Sequence, residues 1–231
     1  MTEKIAIIGG TGAEGSGLAA RFARAGRRVF IGSRSAEKAV EAAQRMRHHA
    51  GPGEVSGHTN AEAAGLATVV VITVPLSAHS EILKNIRASL NAEKTVVDAT
   101  VPLEVAIGGR VSRVVTLWDG SAAQQAARMV PAGVPVVAAF HSLSAEALGK
   151  LDEDVDCDAL ICGDSADAKR TVTELAETIP GVRAIDAGPL DNARYLEISA
   201  AMLIALNLQH KAKNSGMRIT GLLRSVDTSR R

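Results

Sequence analysis

The chain has 231 residues, a length typical of one large domain or of a large domain with a small one. Its 26 Lys and Arg residues against 25 Asp and Glu residues give a formal net charge of +1, which excludes the strongly basic balance of a nucleic-acid-binding protein. Hydrophobic residues make up 46% of the chain, but aromatic residues only 2%. We therefore expect a sizeable aliphatic core and no aromatic platform for stacking bases.

Two cysteines, Cys157 and Cys162, are too few for a disulfide framework or a four-ligand zinc site. We predict that they are buried free thiols on opposite faces of a strand. The chain begins without a signal-peptide pattern, and no run of about 18 uncharged apolar residues predicts a membrane span. The sequence thus predicts a cytoplasmic protein without a metal site, a membrane contact or a nucleic-acid partner.

The first part of the chain alternates short apolar runs with helical patterns. Leu18–Ala23 has helical spacing, Gly26 ends that helix, and Ala50–Gly57 is the most turn-rich stretch. Strands are predicted at Lys4–Ile8, Arg28–Ile31, Thr68–Val74, Thr95–Ala99 and Val134–Ala139, and further helices at Ser35–His49 and Ser77–Leu90. Strands that alternate with helices indicate right-handed βαβ units and a parallel sheet.

The rhythm changes after about residue 140. Asp158–Ile161 and Val182–Ile185 read as strands flanking a helix at Ser165–Thr178, and a long helix follows from about Asn192 to Lys213. Its middle, Ile198–Leu208, is apolar almost all round, which predicts burial on more than one side. The predicted fold is a Rossmann-type, doubly wound, mostly parallel α/β sheet with a small C-terminal helical and αβ extension. Residues 1–140 would bind a dinucleotide, and residues 141–231 would form a smaller second domain.

A glycine-rich turn follows the first strand and opens the first helix. Gly10, Gly12 and Gly15 make the pattern G-x-G-x-x-G, with Thr11, Ala13 and Glu14 between them. In a dinucleotide-binding fold these glycines serve a tight turn, a close approach of the backbone to a pyrophosphate, and close packing of helix on strand. The helix N-terminus then offers unpaired N–H groups to the phosphates. The strand–turn–helix context favours a dinucleotide site over a bare glycine turn.

The end of the second strand indicates which dinucleotide is bound. A fold that binds NAD would place Asp or Glu there for the ribose hydroxyls, but this chain has Ser33 and Arg34, followed by Lys38. A hydroxyl, a guanidinium and an ammonium suit the 2′-phosphate of NADP(H). The same cations could lie on a solvated helix start, but cations there oppose the helix dipole, so a bound anion explains them better.

Three further strands end in segments that should face the nicotinamide end of such a cofactor. His141 follows one of them and could hydrogen-bond a substrate or only cap a loop. His79 could cap a helix or approach the pyrophosphate. The cofactor-contacting residues predicted from these segments are Val74, Pro75, Leu76, His79, Ala99, Thr100, Val101 and Ala139.

Together these segments resemble the NADPH-dependent reductases of the deazaflavin coenzyme F420. The resemblance covers nearly the whole chain and is carried by Ile8–Gly15 (IGGTGAEG), Ile31–Arg34 (IGSR), Val71–Pro75 (VITVP), Ala139–His141 (AFH), Ile161–Asp164 (ICGD), Asp186–Leu190 (DAGPL) and Asn214–Leu222 (NSGMRITGL). It implies hydride transfer between nicotinamide C4 and deazaflavin C5, with F420 as a co-substrate. It also implies that residues 141–231 form the acceptor pocket and that homodimers form through the C-terminal helices.

The resemblance also implies roles for particular residues. It places Thr11–Glu14 at the pyrophosphate, Ser33, Arg34 and Lys38 at the 2′-phosphate, and His141, Gly216 and Met217 at the deazaflavin pocket. No single side chain is then expected to be chemically essential. Leu76 and the segment at 98–102 depart from the family pattern. Two alternatives therefore stay open: an NADPH-dependent reductase of a flavin or a small carbonyl compound, and a non-catalytic NADP(H)-binding regulatory protein.

Overall fold

The computed structural model describes residues 3–47 and 51–222. One eight-stranded sheet runs through it in the order β3-β2-β1-β4-β5-β6-β7-β8. All neighbouring strands are parallel except β6 and β7, which are antiparallel. The strands are β1 (Lys4–Ile8), β2 (Arg28–Ser33), β3 (Glu54–Thr59), β4 (Val69–Ile72), β5 (Thr95–Asp98), β6 (Val136–Ala138), β7 (Cys157–Gly163) and β8 (Val182–Asp186).

Helices cover both faces of the sheet. They are α1 (Ala13–Arg24), α2 (Ala36–Arg47), α3 (Asn60–Leu66), α4 (Leu76–Ile86), α5 (Ala122–Met129), α6 (Ala145–Gly149), α7 (Ala166–Glu177) and α8 (Ala193–His210). One hydrophobic cluster lies under α1, α2 and α7, and a second lies under α3, α4 and α5. Because parallel strands buried on both faces favour β-branched residues, the Val-rich runs of β4 and β5 lie inside the sheet. No helix within the described residues is long and apolar enough to cross a membrane.

The predicted Rossmann-type architecture is confirmed, and every predicted strand lies within one or two residues of an observed one. One strand was missed: Glu54–Thr59 overlaps the stretch read as a loop, and it forms the edge strand β3. An edge strand has one hydrogen-bonded neighbour and an open side, so a polar sequence such as EVSGHT can occupy it without an apolar signal. The short helices α3, α5 and α6 also lacked a predicted counterpart.

The C-terminal part extends the same sheet rather than starting another. β7 pairs with β6 across the point where the sequence suggests a domain boundary, and β8 pairs with β7. The division into residues 1–140 and 141–231 stays a prediction. Cys157 and Cys162 are buried free thiols, and they belong to the hydrophobic clusters on opposite faces of the sheet, as predicted.

Helix α8 differs from its prediction in one respect. Within a single chain it is buried on one side only, where Leu196, Ala200 and Leu203 pack inward. Ile198 and Met202 lie on the opposite side of the helix, and both are 51% exposed. No other described residue covers that side. The all-round apolar sequence therefore leaves an uncovered apolar face.

Candidate functional site

A cleft lies at the carboxyl edge of the parallel strands, where open α/β sheets bind their ligands. It has a volume of about 740 Å³ and is bordered by the segments that follow β1, β4, β5 and β6. Helix α8 forms the opposite wall, with Ala200, Leu203, Ile204 and Asn207. Its volume falls in the range of about 300–1,000 Å³ that small-molecule and cofactor sites occupy.

The glycine turn forms one end of the cleft, where Gly12, Ala13 and Glu14 are part of its lining. Gly12 caps α1 without any side-chain hydrogen bond, so the first N–H groups of the helix have no capping partner. A Cβ on Gly15 would lie 2.5 Å from Thr73 Oγ1, which confirms the close packing expected of that glycine. The positive φ of the turn, 81°, falls on Gly9 and not on Gly10, where the tight turn was expected.

The end of β2 presents the predicted phosphate-binding side chains. Arg34 and Lys38 are exposed, and neither makes a salt bridge with another described residue. Ser33 is buried, and its hydroxyl accepts a hydrogen bond from the Ser35 N–H at 3.3 Å. The Ser35 hydroxyl donates to Glu37 at 2.6 Å and thereby lowers the pKa of that carboxyl. Two free cations thus flank an ordered turn at the start of α2.

Of the eight residues predicted from the later strand ends to contact the cofactor, five border the cleft: Val74, Pro75, Leu76, Ala99 and Val101. Two others are placed behind it. Ala139 is fully buried, and Thr100 is 2% exposed. Their side chains support the cleft from beneath instead of lining it.

His79 also lies behind the cleft, although the sequence suggested a helix cap or a contact with the pyrophosphate. The side chain of His79 is completely buried, and both ring nitrogens face protein oxygens. Its Nε2 lies 2.6 Å from Asp98 Oδ2, and its Nδ1 lies 3.1 Å from Gln125 Oε1. With both nitrogens engaged, His79 has no atom left for a cofactor.

His141 borders the cleft just after β6 and is the least satisfied polar group there. The residue is 8% exposed, and neither ring nitrogen has a hydrogen-bond partner among the described residues. Burial lowers its pKa to about 4, so the ring is neutral at physiological pH. A neutral imidazole carries one donor and one acceptor, and a ligand in the cleft would satisfy them.

The backbone before His141 is strained. Phe140 has φ of 74°, in the left-handed region that residues other than glycine rarely adopt, at a cost of about 1–3 kcal/mol. Its ring is fully buried and packs on Phe22, with ring centroids 5.9 Å apart. The Leu143 N–H closes the turn by donating to the Phe140 carbonyl at 3.0 Å. Phe140 thus anchors the turn that holds His141 at the cleft.

Comparison with known proteins identifies the family. The family described as NADP oxidoreductase, coenzyme F420-dependent, matches residues 4–102. The F420-dependent NADP reductase of Methanothermobacter thermautotrophicus is 50% identical over 225 residues, covering 96% of this chain and 97% of the relative. The chain belongs to the F420-dependent NADP reductase family. The reductase of that name from Methanocaldococcus jannaschii is 40% identical, covering 95% of this chain and 99% of the relative.

A solved structure supports the fold. The crystal structure of an Arthrobacter sp. FB24 protein aligns with a TM-score of 0.77 at 24% identity. The alignment covers 95% of this chain and 100% of that one. The present chain therefore shares its Rossmann-type fold with that structure over nearly the whole length of both proteins.

The C-terminal segment of this reductase family member passes beside β7. Gly216 and Met217 lie there, outside the lining of this cleft, and their place at the deazaflavin pocket stays a prediction. A Cβ on Gly216 would lie 3.0 Å from Cys157 Sγ, and the Met217 carbonyl accepts the Asp158 N–H at 2.8 Å. Lys213 and Ser215, just before them, do reach the cleft. Backbone pairing with β7 turns the segment away after Ser215.

The sequence did not reveal the wall that α8 contributes. Apolar residues filled every side of that helix, so no periodicity singled out the face with Leu203 and Ile204. Asn60 was missed as well: it is 4% exposed, and its Oδ1 has no hydrogen-bond partner among the described residues where it packs on Gly32, beneath the Ser33–Arg34 turn. Its position directly after β3 was the available signal, and β3 itself was unrecognised.

Proposed function

We propose that this chain catalyses hydride transfer between NADP(H) and coenzyme F420. Relatives that are 40–50% identical over almost the whole chain are named F420-dependent NADP reductases. The observation that carries the proposal is the cleft itself. It joins the open N-terminus of α1 at one end to the unpartnered His141 and the apolar wall of α8 at the other.

The phosphate end of the cleft fits a dinucleotide. Gly12 could accept a Cβ without disturbing the fold, since that atom would come no closer than 3.4 Å to Gly9 O. Its missing side chain instead leaves space in front of the free N–H groups of α1, where the pyrophosphate would bind. Gly10, Thr11, Ala13 and Gly15 would contribute backbone to the same cradle. Ser33, Arg34 and Lys38 would bind the 2′-phosphate.

The other end of the cleft fits two flat rings. Val74, Ala99 and Val101 border one side, and Leu203 and Ile204 of α8 border the other. With NADPH and F420 bound together, a hydride would pass from the nicotinamide to the deazaflavin. The residues of this chain would bring the reacting carbons together, exclude water with their apolar side chains and orient the acceptor through His141.

A spectroscopic assay tests this function. Mixing the protein with NADPH and F420 should bleach the deazaflavin absorbance, in an amount that matches the NADPH oxidised. Turnover with a free flavin or a small carbonyl compound but not with F420 would favour another NADPH-dependent reductase. Tight NADPH binding without turnover of any acceptor would favour a regulatory protein.

Glu14 predicts a pH dependence of cofactor binding. It borders the cleft beside the α1 N-terminus, and burial, reinforced by the charge of Asp98, raises the pKa of its carboxyl to about 8. The carboxyl is therefore neutral below that pH and becomes negative above it. We expect the KM for NADPH to rise several-fold between about pH 7 and pH 9.5, because ionised Glu14 repels the pyrophosphate.

Two matched variants test whether the charge of Glu14 causes the rise in KM. In Glu14→Gln the alkaline rise in KM should flatten, while Glu174→Gln, on the exposed surface of α7, should retain it. The measurement is the KM for NADPH as a function of pH, at saturating F420. An equally steep rise in Glu14→Gln would show that Glu14 is not the titrating group.

We also propose that the protein is a homodimer that works in the cytoplasm. The exposed face of α8 carries Tyr195, Ile198, Met202 and Leu206 at helical spacing, between 41% and 62% exposed. A single stripe of large apolar side chains along one helix is typical of a subunit contact. A second copy of the chain could pack its own α8 against this stripe.

Charge on the stripe should abolish such a dimer. Met202→Glu should sediment as a monomer at micromolar concentration because the carboxylate would be buried without a partner in the interface. Val40→Glu, at an apolar residue of α2 that is 41% exposed, should sediment as the unmodified protein does. A monomeric unmodified protein would contradict the proposal.

A further inference from the structure

A group of buried polar side chains lies beneath the part of the cleft where the rings would bind. Asp98, the last residue of β5, is completely buried. Its Oδ1 accepts a hydrogen bond from the Thr100 N–H at 2.8 Å, and its Oδ2 lies 2.6 Å from His79 Nε2. The Thr100 hydroxyl then donates to the Val74 carbonyl at 3.3 Å. The Asp98 carboxylate thus fixes the backbone that follows β5, and the Thr100 hydroxyl connects that segment to the residues that follow β4.

These hydrogen bonds are made by residues next to those that border the cleft. Ala99 lies between the two ends of the Asp98–Thr100 hydrogen bond, and Val101 follows directly. Val74, whose carbonyl accepts the Thr100 hydroxyl, borders the cleft from the neighbouring strand. The spacing between the exits of β4 and β5 is therefore set by polar contacts made behind the cleft.

His79 faces an oxygen atom at each ring nitrogen. Gln125 Oε1 lies opposite Nδ1 and accepts the Ser80 hydroxyl at 3.4 Å, and Asp98 Oδ2 lies opposite Nε2, an arrangement that favours the charged form of the ring. Burial opposes that charge, but Asp98 together with Gln125 raises the pKa of His79. Burial likewise opposes the charge on Asp98, and His79 with the Thr100 N–H lowers its pKa.

The other titratable groups around the pair are neutral near pH 7. Glu197 of α8 is 2% exposed and accepts the Ala123 N–H at 3.2 Å, and burial raises its pKa to about 8. Glu14 has a similarly raised pKa, and the pKa of His141 is lowered to about 4. Within this cluster, Asp98 and His79 are the pair whose pKa shifts favour their charged forms.

A buried ion pair is an expensive way to stabilise a fold, because apolar residues of similar volume often serve as well or better. Its contribution is directional: charged hydrogen bonds hold their partners in one geometry. Here the charged hydrogen bonds fix the backbone that lies beside the place where the two rings would stack. We propose that Asp98 and His79, acting through Thr100, are positioning residues for hydride transfer.

This inference depends on the proposed function, since it assigns the β4 and β5 exits to the reacting rings. A change in their spacing would move the reacting carbons apart while leaving the phosphate and apolar contacts in place. Misplacement by about 1 Å can cost up to about 100-fold in rate. Loss of the Thr100 hydroxyl, which removes one bond of the network, should cost about tenfold.

The test is the rate constant for hydride transfer, measured in a single turnover with NADPH and F420. Thr100→Val keeps the side-chain volume and exposes no buried charge, but it removes the bond to the Val74 carbonyl. We expect that rate constant to fall about tenfold, with less than a twofold change in either KM. The primary isotope effect on kcat with NADPH deuterated at the transferred position should rise as chemistry becomes more limiting. Thr100→Ser should recover most of the loss, because it restores the hydroxyl.

Two comparisons complete the experiment. Thr171→Val on α7, which removes a hydroxyl that donates to the Asp167 carbonyl at 3.1 Å, should leave all of these constants unchanged. Asp98→Asn, which keeps an acceptor for the Thr100 N–H, should transfer hydride faster than Asp98→Ala. If the two Asp98 variants do not fold, the Thr100 pair decides the question.

Two outcomes would overturn the proposal. A Thr100→Val protein with a lower melting temperature but an unchanged hydride-transfer rate constant would show a purely structural role. So would a Thr100→Ser protein as slow as Thr100→Val. Failure of the proposed function is distinguishable from both, because the unmodified protein would then not reduce F420 at all.

Discussion

Replacement of Arg34 by Ala should raise the Kd for NADPH about 100-fold and change the Kd for NADH less than threefold. Arg34 is exposed at the end of β2 and makes no salt bridge with a described residue, so its guanidinium is free to bind a phosphate. A hydrogen bond to a charged group contributes about 1.5–3 kcal/mol, which corresponds to roughly 10- to 150-fold in affinity. NADH lacks the 2′-phosphate and therefore loses little. Fluorescence titration of both nucleotides provides the measurement.

Arg45→Ala is the matched control, because Arg45 is an exposed arginine in the last turn of α2, far along the helix from the β2 turn. It should change neither Kd. Lys38→Ala should weaken NADPH binding less than Arg34→Ala, since an ammonium cannot form the bidentate contact of a guanidinium. Equal losses of NADPH and NADH affinity in Arg34→Ala would refute the assignment of the 2′-phosphate site.

Replacement of His141 by Ala should raise the KM for F420 about tenfold and leave the Kd for NADPH within twofold. The ring is buried at the cleft with both nitrogens unpartnered, so its hydrogen bonds are available to an acceptor and to little else. The net value of such a bond is about 0.5–1.5 kcal/mol, or up to about tenfold in affinity. Because the lowered pKa keeps the ring neutral, the effect should be the same at about pH 6 and pH 8.

A second substitution separates hydrogen bonding from packing at this position. His141→Asn keeps a donor and an acceptor and should recover part of the F420 affinity. His210→Ala, at an exposed histidine that ends α8, should behave as the unmodified protein. A His141→Ala protein that no longer binds NADPH would place the residue at the nicotinamide and not at the acceptor.

Local sequence signals were sufficient wherever a segment is buried by its own strand or helix neighbours. β1 was predicted residue for residue, and β5 to within one residue, because continuous β-branched or aliphatic runs bounded by Gly, Pro or polar residues have few alternative structures. β3 escaped notice since its stability comes from pairing with β2 and packing under α2, neither of which leaves an apolar pattern in EVSGHT.

The same distinction applies to the candidate site. The glycine turn and the Ser33–Arg34 turn are each formed by consecutive residues, so residue order alone indicated a phosphate-binding site. Whether a side chain faces the cleft or supports it from behind depends on packing across several elements. The sequence could not show that the side chains of His79 and Thr100 lie behind the cleft, because His79 meets Asp98 and Gln125, and Thr100 meets the Val74 carbonyl, across separate elements.

By itself, the sequence determined the class of fold, seven of the eight strands, the kind of nucleotide that the first strand–turn–helix unit suits, and the family. The fold class and the nucleotide follow from periodicity, glycine spacing and charge within short segments, and the family follows from the resemblance of seven segments to known reductases. Only the tertiary structure decided that α8 closes the cleft on one side and leaves an apolar face on the other. Only the tertiary structure brought Asp98 and His79 together, because a buried ion pair forms where separate elements pack and leaves no local pattern in either one.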